Sequence, residues 1–344
     1  MKKKVLVLLL RLGISFGLIG YFLHLLAKNH GGLGNALEKF LSAFSGASAS
    51  WLIPACLLHI VGFSLVSLRW KVLLNAQGVK TAYRKLFSFY IMGAFFNTLL
   101  PSTIGGDTVR AIESKKLTGN TTTSVMVVIV ERLTGLAALV LISAAALFIK
   151  IFKNTAQFQG VWIFLAAVVG GLFLLVVLLH PRVAPLILGL LKKVLPARIH
   201  SWLEQAYAAV STYYKRPGAL LGALGISIIF QLNMVVYYFL LAKAFHQAPD
   251  PVDFMLKAPI MIFLLMTVPA INGLGIRTAS FKGLMKIPAA NALALEFIDL
   301  AFRIGYGLLG GLVFLFYRRT HASGGQGGSF RENRPPGPPT KASH

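Results

Sequence analysis

Long apolar runs separated by short basic stretches set the pattern of this chain. Runs at 5–26, 51–68, 124–149, 161–179, 219–241 and 292–317 are each long enough, as helices, to cross about 30 Å of hydrocarbon. Two runs are shorter. Residues 86–100 stop at Pro101-Ser102-Thr103-Ile104-Gly105-Gly106-Asp107, and 259–268 stop at Pro269-Ala270-Ile271-Asn272-Gly273-Leu274-Gly275. A proline followed by glycines ends a helix, so both read as half-helices that stop inside the membrane. The pattern predicts an all-α polytopic integral membrane helix bundle with six full spans and two re-entrant half-helices, eight membrane segments in total. The first run follows Lys2-Lys3-Lys4, as a signal peptide would, but no small-x-small cleavage site precedes Lys28; it reads as an uncleaved helix. Between 182 and 216 basic and apolar residues interleave, which predicts a cytoplasmic amphipathic segment on the headgroups. The membrane domain is placed at 1–319, with halves at about 1–155 and 156–319. The Gly/Pro-rich basic stretch 320–344 has too little apolar surface to fold and reads as a disordered tail.

Composition agrees: 56% of residues are apolar and 13% charged, outside the range of soluble domains. Lys and Arg outnumber Asp and Glu 34 to 10. The excess gathers in short loops beside apolar runs, where the positive-inside rule and anionic headgroups both place it, and no nucleic-acid module accompanies it. With both short runs re-entrant, 23 basic residues fall on the cytoplasmic side and nine outside, which puts both termini in the cytoplasm of a bacterial cell, in its inner membrane. Trp51, Trp70 and Trp162 stand at run ends, where an indole suits the interface. Cys56 is the lone cysteine, and the eight histidines lack metal-ligand spacing, so neither a metal nor another cofactor is expected.

The two halves have one plan, two spans, a re-entrant segment and a span, starting on opposite sides. That is an inverted repeat. Leu100 to Arg110 can be laid beside Val268 to Arg277 with one residue omitted, and Arg132-Leu-Thr-Gly135 beside Arg303-Ile-Gly305. Charges at membrane depth are costly and need a reason. Glu131 and Arg132, as neighbours, point about 100° apart on a helix and cannot serve one partner. Glu296, Asp299 and Arg303, at i, i+3 and i+7, share one face. These charges are either static ion pairs between helices or a site; Asp107, Arg110 and Arg277, beside the breaks, are either snorkelling and capping groups or part of that site. Convergence of two breaks and two charged helix faces favours the site, lined by Asn97, Pro101, Gly105, Gly106, Asp107, Glu131, Arg132, Pro269, Asn272, Gly273, Gly275, Glu296, Asp299 and Arg303.

Arg69-Trp70, the stretch Phe96 to Arg110, Val130-Glu131-Arg132-Leu133-Thr134-Gly135-Leu136, and Pro269 to Arg277 resemble the lysylphosphatidylglycerol synthase transmembrane, or flippase-like, family. That family includes the membrane part of the multiple peptide resistance factor. The soluble aminoacyl-transfer domain of that factor is not in this sequence, so the resemblance implies lipid handling rather than lysyl transfer. Where the family often carries an acidic residue directly after the Gly-Leu-Gly-x-Arg stretch, this chain has Thr278.

The leading expectation is a translocator, or an accessory to one, for an anionic, aminoacylated or polyprenyl-phosphate-linked membrane lipid. Arg110 and Arg277 would bind its phosphate through their planar forks. Asp107 and Glu131 would balance that charge or contact a cationic headgroup, and Arg132 would pair with Glu296 or Asp299. A membrane glycosyl- or phosphotransferase is the second reading, with only Glu38, Asp250 and Asp253 as outside carboxylates. The third is a non-transporting subunit that organises envelope-synthesis enzymes. Protein partners would be those enzymes or a second copy.

Overall fold

The computed structural model describes residues 32–99, 105–153, 183–191, 196–268, 270 and 273–322, with isolated positions within 17–27 and 166–170. The expected runs at 5–26 and 161–179, the tail from 323, and Pro101, Pro269 and Asn272 lie outside the described residues or nearly so. Everything regular among the described residues is helical: α1 (Leu33–Ser45), α2 (Ala49–Ala76), α3 (Tyr83–Leu99), α4 (Gly105–Thr118), α5 (Thr121–Phe152), α6 (Ala184–Leu191), α7 (Ala197–Tyr214), α8 (Pro217–Ala244), α9 (Pro251–Thr267), α10 (Ile276–Gly283) and α11 (Ala289–Ala322).

Four of these, α2, α5, α8 and the 289–317 part of α11, are long and apolar enough to cross a membrane. They match four of the six expected spans, and each extends beyond its apolar run. In α2 the extension takes in Arg69 and Trp70, expected at a loop and an interface but buried in the core. Local signals set the ends. The Asn120 side chain accepts from the backbone N–H groups of Thr122 and Thr123 and starts α5; Asp250 accepts from Asp253 N at 2.7 Å and starts α9, with Pro251 in its first turn. That cap moves the start of α9 eight residues ahead of Pro259, where the apolar run alone placed it. It also uses Asp250, while Asp253 takes Lys150 and Lys257 at 2.5 Å each.

The helix bounds recur at a fixed spacing. The starts and ends of α2 and α8 (49 and 217, 76 and 244), the starts of α3 and α9 (83 and 251) and the starts of α5 and α11 (121 and 289) are all 168 positions apart. In each set a 28-residue helix is followed by a shorter one, then a short helix and a long one. α2 packs along α8, and α3 along α11. The second contact is close: a Cβ on Gly307 would meet Thr98 and one on Gly311 would meet Phe95, so glycines let these two backbones approach.

The expected headgroup segment is two helices, and α7 docks on protein. Gln77 donates to the Ala209 carbonyl at 2.8 Å, and Thr122 to Gln205 at 3.1 Å. Tyr213 is buried, which pushes its phenol up to about 12, and it donates to the Leu73 carbonyl at 3.2 Å. The buried Ala206, Ala209 and Val210 join the core of Trp70, Leu73, Phe89 and Met126, which closes one end of the bundle.

A four-arginine cavity with buried carboxylates behind it

Two buried carboxylates organise the centre of the bundle. Glu131, in α5, is 3% exposed and takes Arg69 Nη2 on Oε1 at 2.7 Å, while Arg110 Nη2 donates to Oε2. Arg69 also donates from Nη1 to Ser227 Oγ on α8 at 2.9 Å. The Arg110 guanidinium lies over the rings of Trp70, at 5.0 Å, and Tyr90, at 4.7 Å, so one cation is held by a carboxylate and two aromatic faces. Asp299, in α11, is 1% exposed and takes Arg277 Nε at 2.9 Å and Arg303 Nη2 at 2.5 Å on Oδ2, and Tyr237 Oη at 2.6 Å on Oδ1. Each carboxylate therefore holds two guanidiniums, and in each case one comes from the short helix that follows a break.

The second break is built by glycine. Gly273 and Gly275 have φ of +69° and +80°, in the region L side chains avoid. A Cβ on Gly273 would sit 2.5 Å from Leu265 Cδ2 and 3.2 Å from Arg277 Nη1. Glu296 then secures the turn, accepting from Gly275 N at 2.7 Å on Oε1 and from Thr278 Oγ1 on Oε2. Thr278, the departure from the family pattern, thus meets a carboxylate supplied by α11.

Between the two clusters opens a cavity of about 290 Å³. Arg110, Arg132, Arg277 and Arg303 line it, with Asn97, Thr98 and Gly273 at the ends of the broken helices and His59, Phe63 and Tyr90 on its walls. Among the described residues that line it there is no carboxylate; Glu131 and Asp299 lie behind the guanidiniums they hold. Its charged lining among the described residues is thus cationic, set among apolar side chains such as Phe230, Met234 and Leu265, while the paired carboxylates lower the cost of burying Arg110 and Arg277.

Of the sequence-derived site residues, the structure brings Asn97, Arg110, Arg132, Gly273, Arg277 and Arg303 to the cavity, with Glu131, Gly275, Glu296 and Asp299 in the shell that supports them. Gly105, Gly106 and Asp107 lie in α4, the Asp107 side chain outside the described residues. The expected pairing of Arg132 with Glu296 or Asp299 is not formed. Those carboxylates are taken by the Gly275–Thr278 turn and by Arg277, Arg303 and Tyr237, whereas Arg132, about 100° around α5 from Glu131, faces the cavity. Arg69, Arg110 and Arg277 are buried, so they are not loop charges; without them the count is 21 inside against eight outside, which leaves the asymmetry intact. Trp70 is fully buried, its ring spent on Arg110 rather than on the interface. Arg69, Tyr237, Tyr238 and His59 were missed as site residues. Arg69 carried one signal, its adjacency to an apolar run; the tyrosines and His59 carried none, since each fits an ordinary membrane helix.

A model of the lysylphosphatidylglycerol synthase transmembrane region matches residues 8–323. The chain belongs to that family. A UPF0104 membrane protein of Methanocaldococcus jannaschii is 29% identical over 82 residues, 24% of this chain and 24% of that protein, so the chain spans about a quarter of the relative's length in that match. No solved structure matches the chain at a significant level. With the family and the apolar helices together, this is a multi-pass membrane protein of the lysylphosphatidylglycerol synthase transmembrane family.

Proposed function

We propose that this family member binds the phosphate-bearing headgroup of an anionic, aminoacylated or polyprenyl-phosphate-linked lipid in the four-arginine cavity and passes it between leaflets. The observation that carries the reading is the cavity wall: four guanidiniums from both halves of the chain converge on one space, with the carboxylates that hold Arg110, Arg277 and Arg303 behind them. Arginine forks match phosphate oxygens two at a time, which suits a headgroup that must leave water. The fixed spacing of 168 positions between corresponding helix ends supports an internal repeat, and the loop charges support its inversion, with α3–α4 and α9–α10 as re-entrant pairs and both termini in the cytoplasm of a bacterial inner membrane. In that arrangement Arg110 and Arg277 approach the midplane from opposite faces, and a crossing phosphate always has one of them near it.

The test is reconstitution of the purified protein in liposomes with headgroup-labelled phosphatidylglycerol, following loss of label to a membrane-impermeant quencher. Crossing in the wild type and its loss in Arg110→Ala and Arg277→Ala variants that still fold is the expected result. Binding without crossing would instead make the chain a lipid-holding subunit of a larger assembly, and neither binding nor crossing would remove the lipid reading altogether.

A further inference from the structure

His59 is a titratable group on the cavity wall that the headgroup reading does not use. It sits in α2, and its imidazole is enclosed by rings: Tyr306 stacks on it at 5.3 Å and 4°, Tyr237 meets it edge-on at 4.5 Å, and Phe63 and Phe302 lie at 6.2 and 6.4 Å. Neither phenol serves it. Tyr237 Oη donates to Asp299, and Tyr306 Oη donates to the Cys56 carbonyl at 2.7 Å. His59 Nδ1 is buried with no hydrogen-bond partner among the described residues.

Among the described residues the charged groups facing it are Asp299 and Arg303 of α11 and Arg277 of α10. Across the cavity stand Arg110 of α4 and Arg132 of α5, with Tyr90 of α3, and Tyr238 of α8 lies behind Arg277. A histidine placed there has an aromatic surround suited to a cation, but it faces four guanidiniums whose charge opposes another cation nearby. An anion entering the cavity reverses that balance. Its negative charge offsets the guanidiniums and so favours the protonated imidazole on the same wall.

We propose that His59 is a proton-binding site coupled to the headgroup site, so that a lipid phosphate enters the cavity together with one proton taken up by the imidazole. This deepens the lipid reading and rests on it. The step forms one N–H bond at His59, with the proton drawn from bulk water or buffer, and breaks no bond in the lipid. It would make occupancy of the cavity sensitive to the proton gradient across the membrane.

Phosphatidylglycerol is the probe, because its phosphodiester does not titrate near neutral pH. Binding to the purified full chain in detergent is measured between pH 5.5 and 8, with proton uptake followed by an indicator dye in weak buffer. The wild type takes up about one proton per lipid bound, and its Kd rises about tenfold per pH unit over the window in which only the bound form holds that proton. His59→Gln, checked for folding by its thermal transition, binds with no uptake and a flat profile, while His246→Gln, in an exposed turn, behaves as wild type. Lipid binding by the wild type without proton uptake overturns the coupling and leaves the headgroup reading standing. Uptake that survives in His59→Gln also overturns it, by placing the proton elsewhere. No lipid binding at any pH removes both. Should His59→Gln fail to fold, His59→Phe, which keeps a ring among the surrounding aromatic side chains, carries the same test: binding without uptake is expected, and uptake that persists overturns the coupling.

Discussion

The cluster around Glu131 and the cluster around Asp299 solve one problem with residues in different places. Glu131 and Asp299 are themselves 168 positions apart, each the eleventh residue of its long helix, and Arg69 and Tyr237 are 168 apart, each the twenty-first residue of its own. At that spacing Arg303 falls opposite Gly135, and Arg132 opposite Leu300, which corrects the expected match of Arg132 with Arg303. The exchange has a spatial reason. Gly135 leaves room for the Arg69 guanidinium, whose Nη1 lies 3.5 Å from where a Cβ would be; in the second cluster the helix supplies its own guanidinium at 303, and position 237 provides a neutral phenol. What both clusters keep is a carboxylate one turn or more into a long helix, holding the arginine that follows a break. The second cation moves between helices, so the constraint is on charge at a point in space and not on a sequence position.

The largest effect expected is on stability, and it separates the clusters. Glu131→Gln removes the carboxylate that joins Arg69 and Arg110, both about 5% exposed, whereas Asp299→Asn leaves Arg277 near Glu296 and Arg303 with 27% of its side chain exposed. Removing one partner of a buried ion pair costs about 3 to 5 kcal/mol. Glu131→Gln should reach that range in detergent unfolding and Asp299→Asn should fall below it; equal losses would mean the clusters are energetically alike. Glu131→Gln should also lower lipid crossing, and that loss should come with reduced stability.

Next in size is the headgroup contact. Arg110→Lys and Arg277→Lys keep the charge but lose the fork, and each should weaken phosphatidylglycerol binding or crossing by about tenfold, given about 1.5 to 3 kcal/mol for a charged hydrogen bond. The exposed Arg84→Lys serves as the reference. If both behave like that reference while still folding, the arginines are anchors only.

Gly273→Ala should destabilise by about 1 to 3 kcal/mol and displace Arg277, since the new Cβ meets both positive φ and Leu265. Gly78→Ala, with φ of +81° and open space, isolates the backbone part of that cost. A thermal-shift difference near zero between the two would mean that Leu265 moves aside freely.

The exchange itself can be tested directly. Arg69→Tyr should destabilise, and adding Gly135→Arg should recover part of the loss by copying the second cluster; a double variant no better than the single would show the two positions are not interchangeable. The smallest effect expected is for Tyr237→Phe, about 1 kcal/mol, because Asp299 keeps two guanidiniums when the phenol hydroxyl is gone.

Four of the six expected spans, the existence of the two shorter helices and the ionisable residues at depth were legible in the apolar runs, with Arg110, Glu131, Arg277 and Asp299 among them, because hydrocarbon admits only segments that satisfy their own backbone. Helix ends were not, since α9 starts eight residues before its apolar run. Hydrophobicity has no direction around a helix that is apolar on all sides, so the partner of each charge was not. Arg69 read as a loop cation, Trp70 as an interface anchor and Arg132 as a partner of the α11 carboxylates; only the packing of α2 along α8 and of α3 along α11 decided otherwise. The sequence by itself determined which charges had to be answered within the membrane. The tertiary structure decided which of them face each other and which face the cavity, because that choice depends on how the helices rotate and approach.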